Sequence, residues 1–291
     1  MDVIEAAKVL RARAASGRGT HRTIGFVPTM GFFHEGHRSL MRAARGERDM
    51  VIVSIFVNPL QFGPREDFAS YPRDMDRDLA LAAEEGVDAV FVPPVGEMYP
   101  SGDPDVTVDP GILGLRFEGA TRPGHFRGVA TVVAKLFQLV GSCRAYFGEK
   151  DAQQLAIIRR MVRDLGFPVD VVGCPTVREP DGLALSSRNV YLSPEERSAA
   201  TCLYRALETA ADIVGHGERD ARVVRKEMAG QIQAEPLAEL DYAAIVDEGS
   251  FAEVQELVRP ARALIAARVG PARLIDNVLL PVRHNGDEEG V

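Results

Sequence analysis

The stretch from Thr23 to Met41, TIGFVPTMGFFHEGHRSLM, contains an apolar run, a glycine-containing loop and the start of a helical pattern. Thr23 to Val27 is short and apolar, which predicts a strand buried in a sheet. The loop from Pro28 to His37 follows directly, and apolar residues such as Leu40 and Ala44 then recur at helical spacing. A strand that leads through a loop into a helix is half of a crossover unit, so the stretch favours a parallel sheet covered by helices.

Four more apolar runs predict strands of the same sheet. They are short, rich in Val, Ile and Phe, and end at Gly or Pro, as buried strands often do; they are Met50 to Asn58, Ala89 to Pro93, Arg144 to Gly148 and Val169 to Cys174. The clearest helix runs from Arg127 to Gly141, with its apolar residues on one face. Ligands of such sheets bind at the carboxyl ends of the strands, so we expect the site in the loops that follow them.

The pattern changes after Asn189. The segment Ser193 to Glu196 supplies a serine cap, a proline at the first helical position and two acids, which predicts a long helix to about Gly215. A second helical stretch follows, then a predicted strand at Asp241 to Val246 and apolar runs at Ala263 to Val269 and Leu274 to Leu280. The tail from His284 to Val291 is polar and acidic, and we predict that it frays.

These patterns predict an α/β protein with two domains. A chain of 291 residues is long enough for a single core to divide. We expect a Rossmann-like parallel-sheet domain over residues 1–176, followed by a smaller α+β domain over residues 177–291.

Composition and charge exclude several classes of function. Asp and Glu number 42 against 34 Lys and Arg, and the resulting net charge of -8 argues against a nucleic-acid partner. No apolar run is long enough for a membrane helix, and Met1 to Arg13 is predicted to be an amphipathic helix, not a signal peptide. Cys143, Cys174 and Cys202 form no CxxC pair, so we interpret them as reduced thiols of a cytoplasmic protein.

His34 and His37 are spaced i and i+3 at the predicted start of a helix. The free N–H groups and the dipole of a helix start favour an anion, and Gly36 lets the backbone approach it. An isolated HxxH is more often a loop pair or half of a metal site. No Cys or His cluster offers the other ligands of a zinc site, and the strand-loop-helix setting favours a nucleotide triphosphate.

A second motif, Gly182 to Asn189 (GLALSSRN), lies near the predicted domain boundary. Two serines and Arg188 can surround a triphosphate, because a guanidinium supplies several donors to phosphate oxygens. Alone, a Ser-Ser-Arg turn is usually only a turn. Together with the upstream HxGH, it indicates a nucleotide site.

These two motifs resemble the paired signatures of the HIGH-motif nucleotidyltransferase superfamily, and further segments resemble the pantothenate synthetase family within it. The segments occur in family order over about 170 residues, a pattern far more specific than one short motif. They are Val27 to His37, Val53 to Phe62, Tyr71 to Arg73, Arg122 to Val129, Phe147 to Gln154 and Pro175 to Leu192.

The resemblance implies a homodimer that uses ATP and Mg²⁺ to condense pantoate with β-alanine through pantoyl-adenylate, releasing AMP and pyrophosphate. It implies that residues 1–176 bind ATP and pantoate, that residues 177–291 form a lid, and that His37, His34 and Lys150 are catalytic. Gln61 and Gln154 are implied to bind pantoate, and Gln61 also β-alanine. The implied ATP-binding residues are Met30, Gly31, Phe32, Phe33, His34, Glu35, Gly36, His37, Gly148, Glu149, Lys150, Asp151, Val177, Leu185, Ser186, Ser187 and Arg188.

Three other side chains are predicted as contacts for metal or phosphate: Asp78, as a metal ligand, His125 and Lys135. The alternative for each is an ordinary solvated position on a helix. Two departures from the family pattern concern the ATP site, namely Leu185 in place of Met and Phe32-Phe33 in place of Ala-Leu. If position 185 contributes its backbone N–H to a phosphate, Leu for Met changes little, because the two side chains have similar volumes.

Two other functions are compatible with parts of this pattern. A cytidylyltransferase of the same superfamily would not explain the two glutamines or the segment FGEKDAQQ. A nucleotide sensor without activity would not need all of the polar side chains expected for catalysis. All of them are present, namely His34, His37, Lys150, Ser186, Ser187 and Arg188. The sequence therefore favours the ligase.

Overall fold

The computed structural model describes residues 1–64, 66–280 and 282, so the tail from His284 to Val291 lies outside the described residues. The chain divides into two compact units, Met1–Thr176 and Val177–Val291. The first contains a six-stranded parallel sheet and the second a three-stranded antiparallel sheet. The predicted fold class, an α/β sheet domain followed by a smaller α+β domain, is confirmed.

The sheet of the first unit consists of β1 (Asp2–Ile4), β2 (Ile24–Thr29), β3 (Met50–Ile55), β4 (Ala89–Phe91), β5 (Cys143–Gly148) and β6 (Val169–Cys174). Its strand order is β1-β4-β3-β2-β5-β6. All six residues of β3 are buried, as expected for a parallel strand covered on both faces. Since β2 lies between β3 and β5, the loops after these three strands meet at one edge of the sheet.

The helices of this unit are α1 (Ala7–Gly19), α2 (Glu35–Glu47), α3 (Met75–Glu84), α4 (Val95–Met98), α5 (Glu118–Thr121), α6 (His125–Val140) and α7 (Ala152–Leu165). Short 3-10 turns occupy Pro59–Gln61, Gly111–Gly114 and Glu149–Asp151. The apolar stripe predicted between Arg127 and Gly141 is the buried face of α6. Phe137 on that face makes edge contacts with the rings of Phe26, Phe147 and Phe167.

Helix α6 approaches the Pro59–Gln61 turn very closely at Gly128. A Cβ atom at this position would lie 2.3 Å from the carbonyl oxygen of Leu60. The side-chain Nδ2 of Asn58 donates to the carbonyl oxygen of Gly128 at 3.2 Å. The turn that carries Gln61 is thus seated on the backbone of a buried helix.

The N-terminal prediction is wrong in part. Met1 to Arg13 was expected to be one helix, but Asp2–Ile4 forms the edge strand β1, and α1 begins only at Ala7. The strand pairs in parallel with β4. A segment of three residues is too short for its pattern of apolar residues to distinguish a helix from a strand. Here the open edge of β4 supplies backbone hydrogen bonds, and the segment forms a strand.

Strand β3 is also shorter than the predicted Met50 to Asn58. It ends at Ile55, because Asn58 and Pro59 begin a 3-10 turn. The side chain of Asn58 accepts a hydrogen bond from the N–H of Leu60 at 3.4 Å, and Pro59 occupies the first position of the turn. An Asn-Pro pair favours a turn over a continued strand.

The second unit contains α8 (Pro194–Ala199), α9 (Cys202–Gly215), α10 (Ala221–Gln233), β7 (Ala238–Asp247), β8 (Ala261–Val269) and β9 (Ala272–Leu280), with sheet order β7-β8-β9. Ser193 caps α8 in a capping box with Glu196, as the sequence predicts. The single long helix expected to Gly215 is instead two helices. The hydroxyl of Thr201 donates to the carbonyl oxygen of Ser198 at 2.7 Å, which competes with the helical bond at the break. Within the described part of the chain, every helix is too short or too polar to cross a bilayer.

Candidate active site

The loop after β2 contains two consecutive residues with left-handed backbone. Gly31 has φ +85° and Phe32 has φ +52°. Left-handed backbone is unfavourable for phenylalanine, so surrounding contacts must hold it. Thr29 Oγ1 accepts the N–H of Gly31 at 3.2 Å and donates to the carbonyl oxygen of Ser54 at 2.7 Å. The start of the loop is therefore tied to strand β3.

Asp78 of α3 holds the centre of this loop. Its Oδ2 accepts the N–H of Phe32 at 2.6 Å, and its Oδ1 accepts the N–H of Phe33 at 2.7 Å. The residue is 1% exposed, and this burial raises the pKa of its carboxyl group, while the two backbone donors oppose the rise. Both oxygens are thus used by the protein. This arrangement indicates that Asp78 positions the loop, and the metal contact predicted for it stays a prediction.

His34 and His37 cap the start of helix α2. The N–H of Gly36 donates to Nδ1 of His34 at 3.1 Å, and the N–H of His34 donates to Nδ1 of His37 at 3.4 Å. The two ring centres lie 4.1 Å apart. A backbone N–H can only donate, so each Nδ1 carries a lone pair and a neutral ring carries its proton on Nε2. Each ring therefore offers an Nε2–H donor at the helix start.

Both histidines are held neutral. Burial, followed by the charge of Lys150, lowers the pKa of His34 to about 4. Burial, followed by the proximity of His34 and Lys150, lowers the pKa of His37 to about 3. An uncharged imidazole with a fixed tautomer is a hydrogen-bond donor whose protonation state does not change near neutral pH.

Lys150 brings a positive charge to the same edge of the sheet. It lies in the Glu149–Asp151 turn directly after β5, the strand next to β2, and its Nζ is 3.6 Å from Oδ1 of Asp151. Its charge contributes to the lowered pKa of both histidines. The structure thus brings together two predicted ATP loops, Met30–His37 and Gly148–Asp151.

Gln61 is 8% exposed and contacts the first of these loops. Its Nε2 donates to Sδ of Met30 at 3.1 Å, and its Oε1 accepts from Nδ2 of Asn58 at 3.1 Å. Oδ1 of Asn58 in turn accepts the hydroxyl proton of Tyr99 at 2.8 Å. This chain of donors sets the direction of the Gln61 amide. The roles of Asn58 and Tyr99 are not predicted from the sequence, where the one local signal is an asparagine before a proline at the end of a strand.

Gln153 and Gln154 are neighbours on α7 with different surroundings. Gln153 is 5% exposed, and its Nε2 donates to the carbonyl oxygens of Leu113 and Arg116, both at 2.8 Å. Its Oε1 accepts the N–H of Glu118 at 3.1 Å. Gln154 is half-buried, and among residues 1–64, 66–280 and 282 its side chain has no hydrogen-bond partner. Gln153 is structural, and Gln154 retains its capacity to bind a ligand.

His125 and Lys135 have protein partners. Nε2 of His125 accepts from Nη1 of Arg122 at 2.9 Å, so Nδ1 carries the proton and donates to the carbonyl oxygen of Gln61 at 2.8 Å. Burial lowers the pKa of His125 to about 4. Nζ of Lys135 donates to the carbonyl oxygen of Met98. These contacts indicate structural roles, and the metal or phosphate contacts predicted for the two side chains stay predictions.

The predicted ATP contacts of the second unit lie on a hairpin. Arg178 pairs with Ala184 in an antiparallel bridge, and the N–H of Leu185 donates to the carbonyl oxygen of Val177 at 3.0 Å. This N–H is thus used within the hairpin, which argues against a backbone contact between position 185 and a phosphate. Ser186 caps the following 3-10 turn, Ser187–Tyr191. That Val177 and Leu185–Arg188 join the first-unit loops in one ATP site stays a prediction.

No group of three or more His, Cys, Asp or Glu side chains suited to a metal occurs in the part of the chain that the structure describes. Mg²⁺ at nucleotide sites usually keeps several waters and binds one or two carboxylates together with the phosphates of the substrate. A magnesium ion that arrives on the triphosphate fits these residues better than one held in advance.

Comparisons with known proteins agree over nearly the whole chain. The family model described as Pantoate-beta-alanine ligase matches residues 2–279. The pantothenate synthetase of Roseiflexus sp. strain RS-1 is 54% identical over 280 residues, which are 96% of this chain and 99% of that protein. The pantothenate synthetase of Rubrobacter xylanophilus is 55% identical over 286 residues, which cover 96% and 98% of the two chains.

Solved structures show the same similarity. The crystal structure of pantothenate synthetase from Thermus thermophilus matches with a TM-score of 0.89 and 52% identity, covering 96% of this chain and 99% of that chain. Pantoate–β-alanine ligase from Francisella tularensis, crystallised in complex with β,γ ATP and β-alanine, matches with a TM-score of 0.79 and 35% identity over 96% and 97% of the chains. From the family match and these relatives, the chain belongs to the pantoate–β-alanine ligase family.

Proposed function

We propose that the protein condenses pantoate with β-alanine at the expense of ATP, through pantoyl-adenylate, and releases pantothenate, AMP and pyrophosphate. The observation that carries this proposal is the neutral pair His34 and His37 at the start of α2, with two Nε2–H donors next to the charge of Lys150. The Francisella relative crystallised with an ATP compound and β-alanine supports the choice of substrates.

In the first step a carboxylate oxygen of pantoate attacks the α-phosphorus of ATP, and the bond from phosphorus to the pyrophosphate oxygen breaks. Negative charge then grows on the α-phosphate and on the leaving pyrophosphate. The free N–H groups of the first turn of α2, the two Nε2–H groups and the ammonium of Lys150 can stabilise that charge. These donors are preorganised, because the capping bonds hold the rings before substrate arrives.

In the second step the amine of β-alanine attacks the acyl carbon, and AMP leaves with the oxygen that came from pantoate. Gln61 and Gln154 are proposed to orient pantoate, since an amide supplies both a donor and an acceptor for hydroxyl and carboxylate groups. The direction of the Gln61 amide, set through Asn58 and Tyr99, supports that role. Gln61 is also proposed to contact β-alanine.

The mixed anhydride reacts readily with water, so we propose that the second unit, with Val177 and Leu185–Arg188, acts as a lid that excludes it. Mg²⁺ is proposed to enter on the ATP phosphates. Membership of the family leads us to propose a homodimer. The buried thiols of Cys143, Cys174 and Cys202 agree with a cytoplasmic location.

The decisive test follows labelled oxygen. With pantoate labelled by ¹⁸O in its carboxylate, ATP and β-alanine, we expect pantothenate, with the label in AMP and pyrophosphate unlabelled. Label in inorganic phosphate, with ADP as the nucleotide product, would show an acyl-phosphate mechanism and overturn the proposal. Binding of ATP without any product would favour a nucleotide sensor instead.

A further inference from the structure

The chain enters the second unit through the 177–185 hairpin, whose two ends carry the proposed ATP contacts Val177 and Leu185. Besides the bond between these ends, the N–H of Glu179 donates to the carbonyl oxygen of Leu183 at 2.9 Å. A two-stranded ribbon this short is not stable on its own in water. Contacts outside the hairpin must therefore hold it in place.

Arg178 provides several contacts, both within the hairpin and to strand β9. Its Nη1 donates to the carbonyl oxygen of Gly182 at 3.0 Å and to Oδ2 of Asp276 at 2.6 Å. Its Nη2 donates to Oδ1 of Asp276 at 2.9 Å and to the carbonyl oxygen of Asn277 at 3.4 Å. The guanidinium carbon lies 4.7 Å from the ring centre of Tyr204. Four of the five N–H donors of this side chain thus have acceptors within the second unit.

Asp276 anchors this arrangement in the sheet. It lies on β9 in register with Ile265 of β8, and its side chain is 2% exposed, against 20% for Arg178. Its Oδ1 also accepts the N–H of Asn277 at 2.7 Å. A bidentate pair fixes direction as well as distance, and a buried carboxylate without its partner is strongly unfavourable. The hairpin is therefore attached through a buried carboxylate to strand β9 of the sheet of its unit.

Gly182 shows how closely the hairpin is fitted to this anchor. Its backbone has φ +93°, and a Cβ atom built on it would lie 1.9 Å from the ring of Tyr204. The backbone of the turn thus lies directly against the ring that covers Arg178. A side chain at position 182 would therefore displace the turn or the ring.

We propose that Arg178 and Asp276 are positioning residues for nucleotide binding, which hold the 177–185 hairpin so that Leu185–Arg188 is arranged before ATP arrives. The inference rests on the proposed function. Because the Nη donors of Arg178 are already used, it acts through the hairpin and not by touching the nucleotide. Preorganisation of this kind lowers the cost of binding ATP and leaves pantoate, whose proposed contacts are in the first unit, unaffected.

Two conservative variants test the pair, and a second ion pair on the same hairpin supplies the control. Arg178→Lys keeps the positive charge but loses the planar guanidinium that makes the bidentate contact. Asp276→Asn keeps the shape of the side chain but loses its negative charge. For the control, Arg197 of α8 makes a bidentate contact with Asp181 at 2.8 and 3.0 Å. The side chain of Arg197 is 29% exposed and that of Asp181 is 49% exposed. Exposed pairs contribute little, so Arg197→Gln should behave like the parent.

We expect both test variants to raise the KM for ATP by roughly tenfold or more, while kcat and the KM for pantoate stay within about threefold. Arg197→Gln should leave all three constants within about twofold. If Arg178→Lys folds and its KM for ATP is unchanged, or if the constants for ATP and pantoate worsen together with a lower Tm, the pair is only structural and the proposal is overturned.

Hydrogen exchange on the unmodified protein tests the idea even if the variants do not fold. The amides of Leu185 and Glu179 should be protected without nucleotide, to a degree that ATP changes little. Rapid exchange of both amides in the free protein would overturn the preorganisation. Calorimetric titration with ATP separates this inference from the proposed function. If the parent binds ATP but forms no pantothenate, the proposed function is wrong. The ATP affinities of the parent and the variants then still decide the role of Arg178 and Asp276.

Discussion

The backbone N–H of His34 donates to Nδ1 of His37 at 3.4 Å, so a side chain proposed to act in catalysis also caps helix α2. Glutamine at the same helix position can accept that N–H, as in an ordinary capping box. It cannot place an N–H donor where Nε2 of the imidazole lies. The structural and chemical roles of His37 can therefore be separated by substitution.

His37→Ala should lower the adenylation rate by roughly 100-fold to 1000-fold, the usual loss for one preorganised donor. It should also lower the free energy of unfolding by about 1 kcal/mol, because the cap is lost. His37→Gln should lose the same activity but keep most of the stability. Pantoate-dependent exchange between ATP and pyrophosphate measures the adenylation rate, and urea unfolding measures the free energy of unfolding. Near-parental exchange in His37→Gln would show that Nε2–H is not needed.

The pH dependence of adenylation should show no titration of these histidines near neutrality. Their pKa values are lowered to about 4 for His34 and about 3 for His37, so both rings keep their neutral form from alkaline pH to well below pH 6. Rates of ATP–pyrophosphate exchange should be measured between pH 8 and pH 5.5. An apparent pKa between 6 and 7 that is present in the parent and absent from His37→Gln would contradict the neutral pair.

The stability of the protein should fall as the pH drops below 6.5. The pKa of His37 is lowered from 6.5 to about 3, so between these values the unfolded chain binds more protons than the folded one. The stabilising effect of the neutral ring is complete above pH 6.5 and decreases by up to about 1.4 kcal/mol per pH unit below it. Urea unfolding at pH 7 and pH 5 should therefore show a smaller loss in His37→Gln than in the parent. Equal losses in the two proteins would mean that His37 is not held neutral.

Asp78→Asn should disturb the ATP loop. The carboxylate accepts the N–H groups of Phe32 and Phe33, whereas an asparagine has one acceptor and would set its NH₂ group against the other donor. We expect the free energy of unfolding to fall by about 1–3 kcal/mol and ATP to bind more weakly. Asp76→Asn, an exposed position on the same helix, is the control. Full recovery of Asp78→Asn activity by added Mg²⁺ would instead favour the metal role.

Gln61→Ala and Gln154→Ala should weaken pantoate binding and leave ATP affinity nearly intact. The matched control is Gln153→Ala, since that side chain binds carbonyl oxygens of Leu113 and Arg116. It should lower stability by about 1–3 kcal/mol by leaving buried groups unpaired, with little effect on pantoate. Calorimetric titrations with each ligand, beside urea unfolding, separate the two effects. Unchanged pantoate affinity in both test variants would remove the assignment.

Local signals in the sequence predicted the parts of the fold that depend on local interactions. The apolar stripe of α6 and the cap at Ser193 lie within a few turns of helix, and periodicity and capping chemistry are visible there. The HxGH segment likewise predicted a helix start, and the structure places His34 at the cap. In these places the local preference and the tertiary structure agree.

The features that were missed depend on partners far away in the chain. Strand β1 exists because β4, more than eighty residues later, offers it an open edge. Asp78 supports a loop 45 and 46 residues before it. The left-handed backbone of Phe32 could not be expected from a residue type that rarely adopts it. Local sequence patterns do not predict contacts between residues so far apart in the chain. The family resemblance could therefore indicate the Met30–His37 loop, but not its support by Asp78.

The close approach of Gly128 to Leu60 has a consequence for genetics. In a growth selection that depends on pantothenate synthesis, every side chain larger than hydrogen at position 128 should score as a loss of function, although the residue has no proposed contact with a substrate. The cause would be displacement of the turn that carries Gln61, because even a methyl group would meet the carbonyl oxygen of Leu60 at 2.3 Å. A map of tolerated substitutions would thus mark Gly128 as strongly as the histidines, and only a second-site suppressor in the 59–61 turn would reveal the difference.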